Sequence, residues 1–436
     1  MSDATAPSRC PVAHAAGAAA AAPLGASAPL GASGRQLLAR LHEARVYLSS
    51  QPVLWMLASA TRRLGAAQRI PGVGVVVSDA GLARAILQRD EDFPKCGRGG
   101  FAEQITRVLG PNALGNMDGA SHRAVRARLA AVFTPAHAAA LTRDVCAAPI
   151  AELRAQLAAG RTVDLVTFTR RLTGRTMCRI VGLTPPPDRE DGTHEELAML
   201  AERLSTIIHL QSASDQELRA IDAARTRLFD HLRECCDTSD GSGLPGSVVN
   251  RLRALGLTLD EARGALTILL VAGTVSMTAA FPRIAALLID TGQLGDLHRH
   301  PELVARAIAE GLRFVAPVPA TMRIAARDTT VGGMRVTAGT RMLILTMNVA
   351  RDPCLFPRPN RFDASRVHDP AARQPWYGAG PHFCLGFALA QCQLAAALTV
   401  LVEARGKVRI VRRRAARHVL LPGYACLAVR VGAGAP

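Results

Sequence analysis

From residue 35 onward the apolar positions recur mainly at the three- and four-residue spacing of amphipathic helices. "GRQLLARLHEARVYLSS" and "PVLWMLASATRRL" each carry such a stripe, and "GVGVVVSDAGLARAILQR" predicts a short strand running into a helix. "SHRAVRARLAAVF" predicts an amphipathic helix bearing four arginine or histidine side chains. Further helices are predicted near 136–158, 163–182, 194–210, 215–236 and 301–314, with a long one from about 258 to 290. Alternation replaces this spacing from 321 to 350, in "TMRIAARDTTVGGMRVTAGTRMLIL", which predicts short hairpins. The tail "KVRIVRRRAARHVLLPGYACLAVRV" reads as more strand. Residues 94–116 are glycine-rich and irregular, and "DTSDGSGLPGS" is the clearest loop. The pattern predicts a mainly α chain with a small β region, one domain over 35–436, and a flexible Ala-rich tail over 1–34.

The longest apolar run, "ALTILLVAGTVSMTAAFPRIAALL", is interrupted by Pro282 and Arg283, so no membrane span is expected. The alanine stretch near the N-terminus is broken by Pro and Gly and lacks the leucine-rich body of a secretory signal. Hydrophobic residues make up 49 % of the 436, enough for a substantial core, but only 4 % are aromatic, so Leu, Ala and Val must fill it. The formal charge is +17, and lysine stands only at Lys95 and Lys407 among 52 cationic residues. That dominance of arginine fits either a coding habit or a selected basic surface. Aromatic and basic residues do not interleave in the manner of base-stacking surfaces, which argues against nucleic acid. The ten cysteines are scattered without a C-x-x-C pair, as expected of reduced, buried thiols in a cytoplasmic protein.

One cysteine stands apart. "PWYGAGPHFCLG", residues 375–386, fixes Cys384 among three glycines and two prolines. No His/Asn constellation marks it as a protease nucleophile, and no second cysteine is near enough for a zinc site. A lone thiolate can instead hold an axial position of a haem iron. Gly378, Gly380 and Gly386 would let backbone pass close to a flat ring and aim N–H groups at the sulfur. The helix predicted in "LGFALAQCQLAAALTVL" would place its positive end near that thiolate.

The stretch Tyr377 to Gly386 resembles the haem-binding loop of the cytochrome P450 family, F-G-x-G-x-[HR]-x-C-x-G, departing only by tyrosine at 377. The resemblance extends to other stretches in the family's order. "EGLR" pairs Glu310 with Arg313 on one helix face, and "PNRF" would add Arg361 as third member of a buried triad, with Asn360 at the place of a glutamate. "SHRAVR" resembles the helix that places His122 and Arg126 at the haem carboxylates, and Arg323 and His382 match two further partners. "LLVAGTVSMT" resembles the central helix, usually A-G-x-[DE]-T. There Gly273 would open the groove above the iron, Val275 takes the acid's place and Ser276 the threonine's. Pro282 should kink this helix.

The resemblance implies the P450 fold, a single triangular-prism domain, holding haem b through Cys384. It implies a monooxygenase that takes electrons from a separate ferredoxin and ferredoxin reductase and acts as a cytoplasmic monomer. Catalytic candidates are Ser276, Gly273 and Thr274; pocket candidates are Phe101, Leu270, Val271, Val275, Val318, Thr321 and Leu421, an apolar set suited to a small hydrophobic natural product. Because Val275 relays no protons, a peroxide-driven peroxygenase or an isomerase- or dehydratase-type rearrangement stands as the alternative, with a non-catalytic haem sensor as a second.

Overall fold

The computed structural model describes residues 31–97, 113–130, 133–181, 187–206, 215–236, 258–369 and 374–432, with a few single positions between. Residues 1–30 of the proposed tail, the loop "DTSDGSGLPGS" and Phe101 lie outside the described residues, while 32–34 of that tail already belong to the first helix. Helices dominate. In chain order they are α1 (Ala32–Ser50), α2 (Pro52–Thr61), α3 (Ala80–Gln88), α4 (Gly119–Ala130), α5 (Pro135–Ala158), α6 (Leu165–Val181), α7 (Glu190–Ser205), α8 (Asp215–Cys236) and α9 (Leu259–Thr291). They continue with α10 (Leu294–Arg299), α11 (Val304–Val315), α12 (Thr346–Val349) and α13 (Phe387–Glu403). The first helix thus starts slightly ahead of the expected boundary at 35.

Local chemistry sets several ends. Asp79 caps α3 by accepting the Leu82 N–H at 2.7 Å, and Thr134 caps α5 through His137 N–H. Helix α9 opens on a capping box between Thr258 and Glu261 and closes on Gly292 in the left-handed conformation, φ 79°. It continues helical through Pro282. Helix α9 is long and apolar enough to cross a membrane by composition, but most of its apolar stretch is buried in the protein. It is the central core helix, packed against α6, α7 and α1.

The strands form three small sheets. Strands β1 (Ala67–Ile70), β2 (Gly74–Val77), β7 (Arg341–Ile344) and β4 (Thr321–Ile324) make the largest, in that order, with β2 and β7 parallel. Only β5 (Thr329–Val331) and β6 (Met334–Val336) form the local hairpin expected within 321–350; β4 and β7 pair antiparallel around it. In the third sheet β9 (Tyr424–Val431) lies between β8 (Val408–Ala415) and the two-residue β3 (Val163–Asp164), which precedes α6 where helix was expected from 163.

Candidate haem-thiolate site

The segment before α13 turns twice. Gly378 (φ 78°) and Gly380 (φ 66°) take left-handed backbone, and a Cβ at Gly380 would stand 2.3 Å from the Leu87 carbonyl oxygen of α3. Gly386 carries no such demand; it precedes α13 with φ −81° and its N–H bonds to the Cys384 sulfur. Cys384 N–H donates to Tyr377 O at 3.0 Å, closing the loop. Arg126 of α4 donates to the Phe383 carbonyl beside it. Burial pushes the Cys384 thiol up, and the Gly386 N–H and the charge of Arg126 pull it partly back.

Beside this loop is a concentrated cationic cluster. The rings of His122 and His382 meet with centroids 4.0 Å apart, tilted by 30°, and His382 Nε2 donates to Asp118 Oδ1 at 3.2 Å. Asp118 also accepts the N–H groups of Lys95 (3.1 Å) and Cys96 (2.7 Å). Burial alone would raise this carboxyl; the His382 bond and the two N–H groups outweigh it and hold it well below the usual range. Lys95 is pulled down to about 8 by burial and then by Arg323, and His122 to about 4 by burial and then by His382. Arg323, on β4, is lowered to about 10 by burial.

Five potentially cationic side chains, Lys95, His122, Arg126, Arg323 and His382, therefore surround one carboxylate. His122 Nδ1 and Arg323 Nε are buried without a hydrogen-bond partner. Such an arrangement calls for further anionic acceptors. Two carboxylates of a haem b, with iron on the single thiolate of Cys384, supply what this donor set lacks, so the residues present fit that group. Lys95 was not anticipated from sequence; its one signal is being one of two lysines in an arginine-rich chain.

Helix α9, whose Val275 shares an apolar cluster with Leu385 next to Cys384, carries one accessible row. Ala272 is exposed within an otherwise buried stretch, and Ser276, one turn later, is half-buried and donates to Ala272 O at 2.7 Å. Two expectations are corrected here. Gly273 does not open a groove: a Cβ there would meet the Met177 methyl at 2.7 Å, so its missing side chain makes room for α6. Thr274 is fully buried and donates to Leu270 O at 2.7 Å, turned away from the Ala272–Ser276 row. Thr278, also buried, donates to Thr274 O.

Val275 sits in an apolar cluster with Met177 and Leu270, against which Val271, Leu385 and Leu421 pack. Leu270 is a core residue rather than a pocket wall, with 1 % exposure. Val318 is 40 % exposed although it follows the buried end of α11. Thr321, Gly378, Gly380 and Phe383 line a cavity of about 520 Å³ against the Cys384 loop.

The buried acid that ties this region together is Glu310 of α11. Arg313 grips both its oxygens, at 2.6 and 2.8 Å, and Asp363 N–H adds a bond at 3.0 Å. The third side chain is Arg366, whose Nε donates to Glu310 Oε2 at 3.0 Å, and not Arg361 as expected. The Arg361 side chain is exposed; only its carbonyl takes part, accepting from Arg313 and Arg366. The left-handed backbone at Arg358 and the turn closing Arg361 N–H on Arg358 O carry the chain past the acid before Arg366 reaches it.

A lone thiolate loop, a cationic cluster short of anions and a long helix packed beside Leu385 of that loop define a haem-thiolate protein. The family described as "Cytochrome P450" matches residues 296–404. Cytochrome P450-SU2 of Streptomyces griseolus is 30 % identical over 302 residues, 67 % of this chain and 70 % of that protein. Luteothin monooxygenase of Streptomyces thioluteus is 28 % identical over 344 residues, 77 % of this chain and 81 % of its own length. A relative from Bacillus subtilis, 40 % identical, aligns over only 34 % of its own length. Among solved structures, P450BioI in complex with an acyl carrier protein shares the fold, with a TM-score of 0.76 over 90 % of this chain and all of that one at 20 % identity. The chain belongs to the cytochrome P450 family, of the bacterial monooxygenase type, whose cofactor is haem b held by a cysteine thiolate.

Proposed function

We propose that the protein hydroxylates a small hydrophobic natural product, using dioxygen and two electrons delivered by a separate ferredoxin and its reductase. The observation that supports this reading is the accessible Ala272–Ser276 pair on a helix, α9, whose Val275 shares an apolar cluster with Leu385, the neighbour of the one loop cysteine. When bound at Cys384, haem b supplies the activation of dioxygen. Lys95, His122, Arg323 and His382 would hold its carboxylates, and Arg126 steadies the thiolate loop through Phe383 O. Ser276 Oγ, already donating to Ala272 O, keeps its lone pairs to accept from a water or substrate hydroxyl and so would position that group. Val271, Val275, Val318 and Leu421 would present apolar surface to the substrate.

A second reading has its own support. Between Glu261 and Asp290 the helix carries no carboxylate, and Val275 lies among apolar residues. That favours peroxide as an oxidant that arrives with its protons. Spin-state shifts with hydrophobic probes would first find a ligand. Turnover with NADPH, ferredoxin and reductase would then be compared with turnover by hydrogen peroxide. Oxygenated product only with the electron chain supports the monooxygenase; product only with peroxide overturns it, and a rearranged product with neither overturns both readings.

A further inference from the structure

Eleven large apolar side chains are exposed among the described residues, and six of them fall within residues 37–64. Scattered exposed leucines are ordinary, whereas a concentration of this kind marks an interaction surface. Leu37, Leu41, Leu48, Val53, Met56 and Leu64 are 48 to 73 % exposed. On α1 the first three recur at spacings of four and seven, which places them on one helix stripe, and Arg40 and Arg45 flank it. On α2 Val53 and Met56 are three apart, and Leu64 follows in the turn beside exposed Arg63.

The two helices carry charge of a single sign; the one exposed acid bordering Leu37 and Arg40, Asp296, is paired with Arg299. Residues 31–65 contain one acid, Glu43, and it is buried. Its carboxylate accepts from Arg283 of α9 at 2.5 and 3.1 Å, so it offers nothing to the outside. Arg283 is itself fully buried and lies over the Tyr47 ring at 4.9 Å. The inward face of α1 is thus fixed to the core by an ion pair, while beyond Ala32 and Ser33 at its start the outward face shows leucine and arginine. An acidic protein surface would satisfy the arginines but would also need an apolar mate for two separate stripes. A fluid anionic lipid surface meets both demands, taking apolar side chains below its headgroups and pairing phosphates with guanidinium.

We propose that the outer face of α1 and α2 docks on an anionic bilayer surface. The protein lies on such a surface without spanning it, and the proposal is independent of which oxidant the enzyme uses. The test is co-sedimentation of the full-length holoenzyme with vesicles of phosphatidylcholine alone and of phosphatidylcholine mixed equally with phosphatidylglycerol. At low salt the protein is expected to bind the mixed vesicles at least about tenfold better, each flanking arginine contributing about fivefold. Leu41→Ser/Leu48→Ser and Arg40→Gln/Arg45→Gln should each reduce binding on the order of tenfold. Val367→Ser, at an exposed valine elsewhere, should leave it unchanged. All sites are exposed, so the variants should retain the wild-type ferrous–CO spectrum, which separates lost docking from lost folding. Equal binding by wild type and both double variants, or no preference for the anionic vesicles, would overturn the proposal. So would a wild-type dimer in sedimentation velocity that Leu41→Ser/Leu48→Ser dissociates while vesicle binding is absent; the face would then join two copies of the chain.

Discussion

Replacing Arg366 by methionine tests the arrangement around Glu310 most sharply, because the family's sequence pattern and the structure name different arginines. Glu310 and Arg313 are both 0 % exposed, and the Arg366 side chain is 11 % exposed, so this carboxylate has no water to fall back on. Removing one partner of a buried ion pair typically costs about 3–5 kcal/mol. Here Arg313 still grips both oxygens and Asp363 N–H still donates, which places the cost near the lower end, about 3 kcal/mol. Arg366→Met also gives up the bonds from Arg366 to the carbonyls of Pro357 and Arg361, at 2.8 and 3.1 Å. Arg361→Met, by contrast, keeps the carbonyl that does the work and alters an exposed side chain, for a change within about 0.5 kcal/mol. Urea unfolding of the holoprotein, followed at the Soret band, reads the difference. With a slope of about 1–3 kcal/mol per molar urea, Arg366→Met should lower the midpoint by about 1 M or more and Arg361→Met hardly at all. Equal midpoints for the two variants, or a lower one for Arg361→Met, would refute the assignment.

Four further outcomes are expected. Cys384→Ser should abolish the strongly red-shifted ferrous–CO band, and a variant that kept it would remove the thiolate from the iron. Gly380→Ala forces a Cβ to within 2.3 Å of backbone at Leu87 in left-handed geometry, so a loss of about 3 kcal/mol and poor haem retention are expected in the same urea assay. Gly273→Ala meets only the flexible end of Met177 and should leave the dissociation constant of phenylimidazole within about twofold, whereas Ala272→Leu, on the open row, should raise it on the order of tenfold. In the haem-free protein His122 titrates near 4, below its ordinary 6.5. The unfolded chain therefore binds a proton that the folded one refuses, and stability falls as pH drops from about 6.5 toward 4, by up to about 1.4 kcal/mol per pH unit. His122→Leu should flatten that slope in urea midpoints measured across the range; an unchanged slope would show that His122 does not carry it.

What the sequence revealed and what it hid divide along the distance between partners. The Cys384 loop was legible because its turns, its ligand and the helix behind it are contiguous, and Glu310–Arg313 because one helix turn joins them. Arg366 was hidden by the path of the chain after Arg358, where a left-handed residue decides which arginine returns to the acid. Gly273 was assigned to the wrong side of α9 because its reason for being glycine, Met177, lies on another helix. Arg283 looked like an interruption of an apolar run; its partners are Glu43 on α1 and the carbonyl of Pro422, far away along the chain. Lys95 comes from an irregular stretch with no period to read, and only folding brings it beside Asp118.

The same separation explains how α9 serves two purposes. Its hydroxyls are not equivalent: Thr274 and Thr278 are spent on carbonyls one turn back in the buried face, so neither offers a proton to the opposite side. Ser276 makes the same kind of bond to Ala272, yet Ala272 is exposed and Ser276 half-buried, so this pair alone on the stretch remains in reach of a ligand. Val275, buried in the cluster that also receives Leu421, puts an apolar side chain where the family's pattern has a proton-carrying group. The loop carrying Leu421 is in turn fixed from outside, its carbonyls at 419, 420 and 422 accepting from Gln51 and Arg283. A change in proton handling on this stretch of α9 would therefore act through Ser276 and whatever water or hydroxyl meets it, because the hydroxyls of Thr274 and Thr278 are already committed to the core.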